Sequence, residues 1–174
     1  MLSTKAKGAQ TELECLTYLH GLGYDISIPW GDNARYDFVL DVNHKLYKLQ
    51  CKTSSQQEEG VYKFKCESTY INSTGNRKAN YTENDVDFFC TFIEGKCYLV
   101  PLNETSKKEK VMRFVKPKNN QTKGITFAQE YLAEKQLEKL IIEEYFRIKP
   151  CLCGVRIPGS LPLSNFRMYD IIYS

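Results

Sequence analysis

Apolar residues recur every three or four positions between about Lys7 and His20, at Ala9, Leu13, Leu16 and Leu19. Ser3 or Thr4 stands ahead of them as a cap, so the spacing predicts a helix that Gly21-Leu22-Gly23 ends. The period then falls to two. Runs at Tyr24 to Ile28, Tyr36 to Val42 and Leu46 to Thr53, parted by Gly31-Asp32-Asn33 and Asn43-His44, predict a three-strand meander. Val61 to Ser68 alternates as a further strand, and the Gly- and Asn-rich Ile71 to Asn80 reads as loop. Asp87 to Ile93 and Lys96 to Leu102 predict paired strands turning at Glu94-Gly95. Val111 to Val115 suits a short strand or a helix, and Lys116 to Gly124 suits a loop. Leu132, Leu137, Leu140, Ile141 and Tyr145 give Phe127 to Ile148 near-helical spacing. Three prolines and irregular spacing from Pro150 onward divide the chain into a domain over 1–149 and an extended tail or small appendage over 150–174.

Composition narrows the class. With 174 residues, 42% apolar and 26% charged, the chain can bury one core, which excludes a disordered protein. No apolar run approaches the ~18 residues of a membrane span, and the first ten residues lack the apolar centre of a signal peptide. Seven scattered cysteines, an odd number, suit a reduced, cytoplasmic protein whose thiols are small core residues. The net charge of +3 says little, but Thr105 to Lys123 holds seven Lys/Arg against one acid, Glu109. That stretch reads as a phosphate-facing surface or as a solvated lysine loop.

Three positions break the apolar pattern. In the strand from Leu46, Tyr47, Leu49 and Cys51 share one face while Lys48, Gln50 and Lys52 share the other. Alone, that is an amphipathic strand with a wet side. Asp37, however, lies within the apolar run Tyr36 to Leu40, where a carboxylate is costly unless paired or bound to a cation. On an ideal helical wheel with Ala9 at zero, Leu13, Leu16 and Leu19 fall at about 40°, 340° and 280°. Glu12 falls at about 300°, inside that stripe, and Glu14 at about 140°. A helix carboxylate, a strand aspartate and a Gln/Lys pair can thus converge at one sheet edge, as a divalent-metal site with a lysine beside it.

These residues resemble the PD-(D/E)XK nuclease superfamily, through Lys7-Gly8-x-x-x-Glu12 on the helix, Tyr36-Asp37 on one strand and Gln50-Cys51-Lys52 on the next. Within it the chain is most similar to intron-encoded homing endonucleases. Val86-Asp87-Phe88-Phe89, Tyr98-Leu99-Val100-Pro101 and Asn119-Asn120-Gln121 carry that likeness more loosely. The resemblance implies an α/β fold, a restriction-endonuclease-like mixed β-sheet flanked by helices. It also implies Mg²⁺-dependent hydrolysis of double-stranded DNA by a homo-oligomer, a dimer or tetramer. Asp37 and the main-chain carbonyl of Cys51 would ligate Mg²⁺, Glu12 and Gln50 would hold metal-bound water or a second ion in the metal site, and Lys52 would position or polarise the attacking water. The Cys51 thiol, turned to the core, is expected to be inert. Tyr36 replaces the name-giving proline. Gln50 replaces the usual carboxylate, which removes one negative charge and leaves an amide carbonyl as a weaker oxygen ligand.

Asn119, Asn120 and Gln121, between Lys118 and Lys123, are the residue types that bond adenine edges while lysines take phosphates, and Arg77 with Lys78 forms a second DNA-binding candidate. Each group reads equally as a polar turn. Cys151 and Cys153 look like half of a zinc knuckle, but no second pair follows to complete four ligands, so no structural zinc is expected in the protein. A Holliday-junction or structure-specific nuclease remains an alternative. So does a DNA-binding module with a decayed site, for which Gln50 is the motive.

Overall fold

Helix α1 (Thr4–Gly21) forms where the spacing predicts it, and Ser3 caps it by accepting a hydrogen bond from Ala6 N at 3.2 Å. The computed structural model describes residues 3–31, 33–72, 75–116 and 125–148. Strands β1 (Asp25–Ser27), β2 (Phe38–Val42) and β3 (Lys45–Cys51) make the expected antiparallel meander. Between β2 and β3, Asn43 and His44 both take positive φ, 52° and 66°, the two-residue turn whose twist matches its flanking strands.

Strand β4 (Ser55–Glu58) has four exposed residues and no apolar alternation, so only its pairing with β5 (Val61–Lys65) defines it. The predicted strand over Val61 to Ser68 is broken at Cys66. Beyond that break, β6 (Glu67–Asn72) and β7 (Gly75–Asn80) form a hairpin in continuous register from Glu67↔Asn80 to Asn72↔Gly75. This corrects the loop expected over Ile71 to Asn80. A main-chain ladder pairs Glu67–Asn72 with Gly75–Asn80, and such a ladder leaves no sign in the hydrophobic pattern.

Strands β8 (Phe88–Ile93) and β9 (Lys96–Pro101) match their predicted spans. β10 (Glu109–Arg113) settles the strand-or-helix alternative as a strand paired with β5. Helix α2 (Ala133–Ile148) begins later than Phe127, because Ala128–Tyr131 is a 3₁₀ turn and Leu132 is extended and bridges to Tyr98.

The central sheet runs β1-β2-β3-β8-β9. Its β3–β8 pair is parallel and its other pairs are antiparallel, so it is mixed, as expected. Cys15 and Leu19 of α1 and Ala133 and Leu137 of α2 pack against Phe38, Leu40, Leu49, Phe88 and Leu99 on one face of that sheet. On the other face Phe89, Ile93 and Val100 meet Phe64 of β5 and Met112 of β10. The fold is therefore α/β and restriction-endonuclease-like, with both described helices on one face and the small β10-β5-β4 sheet on the other. Burying Leu49 alone is worth roughly 1.5–3 kcal/mol, and a one-residue slip of β3 would expose it together with Tyr47 and Cys51. That fixes which residues reach the polar side.

Not all of the basic stretch is surface. Lys110 is 7% exposed, and its ammonium donates to Glu104 O at 2.7 Å and to Tyr131 Oη at 3.1 Å. Lys118, Asn119, Asn120, Gln121 and Lys123 lie outside the described residues, as does the whole of 150–174 with Cys151 and Cys153. No described helix is long and apolar enough to cross a membrane.

Candidate active site

The alternation predicted for β3 holds: Tyr47, Leu49 and Cys51 are buried, and Lys48 and Gln50 are half-buried on the opposite side. Asp37 sits one residue before β2, half-buried, its N–H donating to Leu49 O at 2.8 Å so that it extends the β2–β3 ladder. The partner that an aspartate there requires is β3 itself. Asp37 Oδ2 accepts the Cys51 N–H at 2.6 Å and the Gln50 side-chain N–H at 2.5 Å. Gln50 Nε2 also donates to Cys51 O at 3.3 Å.

Two groups expected to ligate a cation, Asp37 and the Cys51 carbonyl, thus converge on one amide nitrogen. A partial positive charge already lies between a carboxylate and a carbonyl. The available donors are oxygens from Asp37, Cys51, the Gln50 side chain and, at the rim, Glu12. That set suits a hard divalent ion once the Gln50 amide turns its oxygen inward. Burial raises the Asp37 pKa above the ordinary carboxylate value, against the opposing pull of the Cys51 N–H, Gln50 and Lys52.

Glu12 is placed differently from the wheel argument. Thr11, Cys15 and Leu19 form the buried face of α1, while Leu13 is 64% exposed, so the packed stripe is rotated away from Ala9 and Leu13. On the same wheel Thr11, Cys15 and Leu19 fall at about 200°, 240° and 280°, which leaves Glu12 on the rim and exposed. It is still within electrostatic reach of Asp37. Partial burial, and then the charge of Asp37, raise its pKa. The hydroxyls of Thr11 and Thr53 hydrogen-bond at 3.0 Å, and Thr11 donates to Lys7 O at 3.0 Å, tying the start of α1 to the segment just after Lys52.

Lys52 follows the end of β3 and donates its main-chain N–H to Cys90 O at 2.8 Å. Its ammonium donates to Tyr81 Oη at 3.0 Å and to Glu67 O at 3.2 Å, and lies 4.7 Å from the Tyr81 ring centroid. Tyr81 is itself wedged edge-on against buried Phe89, with ring centroids 5.2 Å apart. The Arg35 guanidinium stands 4.8 Å from the same ring and donates to Asp85 at 2.9 Å and to Asn80 O at 2.9 Å. Tyr81 and Arg35 were not found from sequence, since neither sits in a recognisable spacing; only proximity to Asp37 and to the hairpin could have suggested them.

The structure therefore groups Glu12, Asp37, Gln50, Cys51 and Lys52. Arg77 and Lys78 lie on β7 of the hairpin whose base, Glu67 and Asn80, bonds Lys52 and Arg35. Lys78 pairs with Glu67 at 2.7 Å with its side chain 65% exposed, so its charge already has a partner.

A family model described as PD-(D/E)XK endonuclease matches residues 2–134. The solved structure of a bacterial homing endonuclease, I-Ssp6803I, is similar to this chain with a TM-score of 0.65 and 26% sequence identity, covering 85% of this chain and 99% of the other. No curated protein matches the sequence.

Proposed function

Since the chain belongs to the PD-(D/E)XK endonuclease family, we propose that it is a Mg²⁺-dependent, site-specific double-strand DNA endonuclease of the homing type, working as a homo-oligomer. The observation that carries this reading is the convergence of Asp37 Oδ2 and Cys51 O on the Gln50 amide, two residues before Lys52. Likeness to a homing endonuclease over most of both chains supports the homing assignment.

Asp37, Gln50 and Cys51 O would hold Mg²⁺ with Glu12 at the rim, and the bound ion would polarise the scissile phosphate and favour ionisation of the attacking water. Lys52 supplies a fixed ammonium to the developing negative charge, and Tyr81 with Glu67 O limits where that ammonium can go. The Thr11–Thr53 bond keeps Glu12 and Lys52 in register with one another. Arg77 and Lys78 extend the site along β7, where their cations can take backbone phosphates. Lys118, Asn119, Asn120, Gln121 and Lys123 are proposed as further DNA contacts.

One observation favours a second reading. The Gln50 amide nitrogen occupies the place of a cation, and a chain that kept it there would bind DNA without cutting. Cleavage mapping on a random-sequence duplex library with Mg²⁺, run beside a four-way junction, separates the readings. A homing enzyme cuts both strands at one preferred sequence and ignores the junction. Preference for the junction supports the structure-specific alternative, and retention of DNA without cutting supports the decayed one.

A further inference from the structure

The helix-side core contains a set of groups that the nuclease chemistry does not use. Cys15 of α1, Cys51 of β3 and Cys90 of β8 place their sulfurs within 4.8 Å of one another, and all three are buried. Cys51 and Cys90 are direct register partners on the parallel β3–β8 pair, with sulfurs 2.9 Å apart. Cys97 of β9, fully buried, packs in the same core cluster. Three of the seven cysteines thus come from three elements to one point, a fourth packs in the same core, and all four are free thiols.

We propose that Cys15, Cys51 and Cys90, with Cys97 as the available fourth ligand, form a site for a soft d¹⁰ metal ion, Zn²⁺ or Cu⁺. Thiolate ligands select such ions, whereas Mg²⁺ prefers oxygen. Sulfurs held at about 2.3 Å from a tetrahedral zinc stand about 3.8 Å apart, so the cluster needs shifts on the order of 1 Å to close on an ion. Cys15 brings the helix to the set, its sulfur within 4.8 Å of those of Cys51 and Cys90. Each thiol releases its proton to solvent as the ion binds. The site joins α1 to three adjacent strands, and Cys51, whose N–H donates to Asp37, belongs to both centres. The absence of zinc expected from the sequence rests on the tail pair, a separate set of cysteines.

The test uses the full chain, purified in reductant without chelator, and reads metal rather than cleavage. Elemental analysis should find about one Zn²⁺ or Cu⁺ per chain. Co²⁺ titration should give a near-ultraviolet thiolate charge-transfer band that Zn²⁺ abolishes, and competition with a Cu⁺ chelator separates the two ions. Cys15→Ala and Cys90→Ala should lose the ion and the metal-dependent rise in Tm. Cys66→Ala and the double variant Cys151→Ala/Cys153→Ala should keep both. If alanine at Cys15 or Cys90 prevents folding, the Co²⁺ band intensity of the wild type decides: three or four thiolates per ion are expected, and two or fewer overturn the site. A folded wild type that takes no ion, an ion lost with the tail pair, or a Cys51–Cys90 disulfide in the purified chain also overturns it.

Discussion

Replacing Gln50 by glutamate tests whether its amide stands in for a cation. In Gln50→Glu the donor that reaches Asp37 Oδ2 at 2.5 Å is lost, and a hydrogen bond to a charged acceptor contributes about 1.5–3 kcal/mol. A second carboxylate then faces the first. At about 4 Å and an effective dielectric of about 20, that repulsion is about 4 kcal/mol, limited in practice by the pair sharing a proton. Without divalent ions the variant should lose roughly 2–4 kcal/mol, lowering Tm by about 5–15 °C in a chain of this size. Mg²⁺ reverses the sign of the effect, because the new carboxylate is a better ligand than the amide. Binding at about 100 times Kd restores about 2.7 kcal/mol. Thermal unfolding followed by circular dichroism, with and without Mg²⁺, reads both halves. Equal destabilisation in the two conditions, or none in either, would refute a metal position between Asp37 and Cys51.

Asp37→Asn should abolish cleavage and the Mg²⁺-dependent rise in Tm, yet leave metal-free stability at neutral pH within about 1 kcal/mol of wild type or above it, because burial disfavours the Asp37 charge; chemical denaturation measures this. Tyr81→Phe, which removes the hydroxyl at 3.0 Å from the Lys52 ammonium but keeps the ring on Phe89, should lower kcat by roughly 10-fold with DNA affinity unchanged, measured by single-turnover cleavage and filter binding. The pKa values of Asp37 and Glu12 are raised in the fold, so their metal-competent forms are lost at a higher pH than ordinary carboxylates allow. Mg²⁺ affinity and cleavage rate should therefore rise together with pH through the acid range. The contribution of these two carboxyls to metal-free stability should run the other way, gaining as pH falls through the raised values, and is read as the difference in pH dependence between wild type and Asp37→Asn.

The meander, the β8–β9 pair and the face of β3 that carries Gln50 were legible because apolar alternation there reports burial directly, and Tyr47, Leu49 and Cys51 are the buried set. Asp37 was legible for the complementary reason, a charge inside an apolar run. The β6–β7 hairpin was not, since its ladder is made by main-chain groups that no side-chain pattern encodes. The orientation of α1 was misjudged because Leu13 is exposed while Thr11 and Cys15 are buried, so leucines marked the wrong stripe. Tyr81 escaped notice because its role is set by tertiary contact with Lys52 and Phe89. The cysteine cluster was hidden for the same reason: Cys15, Cys51 and Cys90 are spread over three elements and meet only in the folded core.

Incubating supercoiled plasmid that carries the target found by library mapping with Mg²⁺ and either wild type or Lys52→Ala tests the nuclease reading most directly. Wild type should linearise it. Lys52→Ala should be slower by about 10²–10⁴-fold while binding the same DNA equally well, because a fixed ammonium is removed from the developing charge and the metal ligands are left in place. Equal cutting by both proteins, or DNA binding by both with no cutting by either, would contradict it.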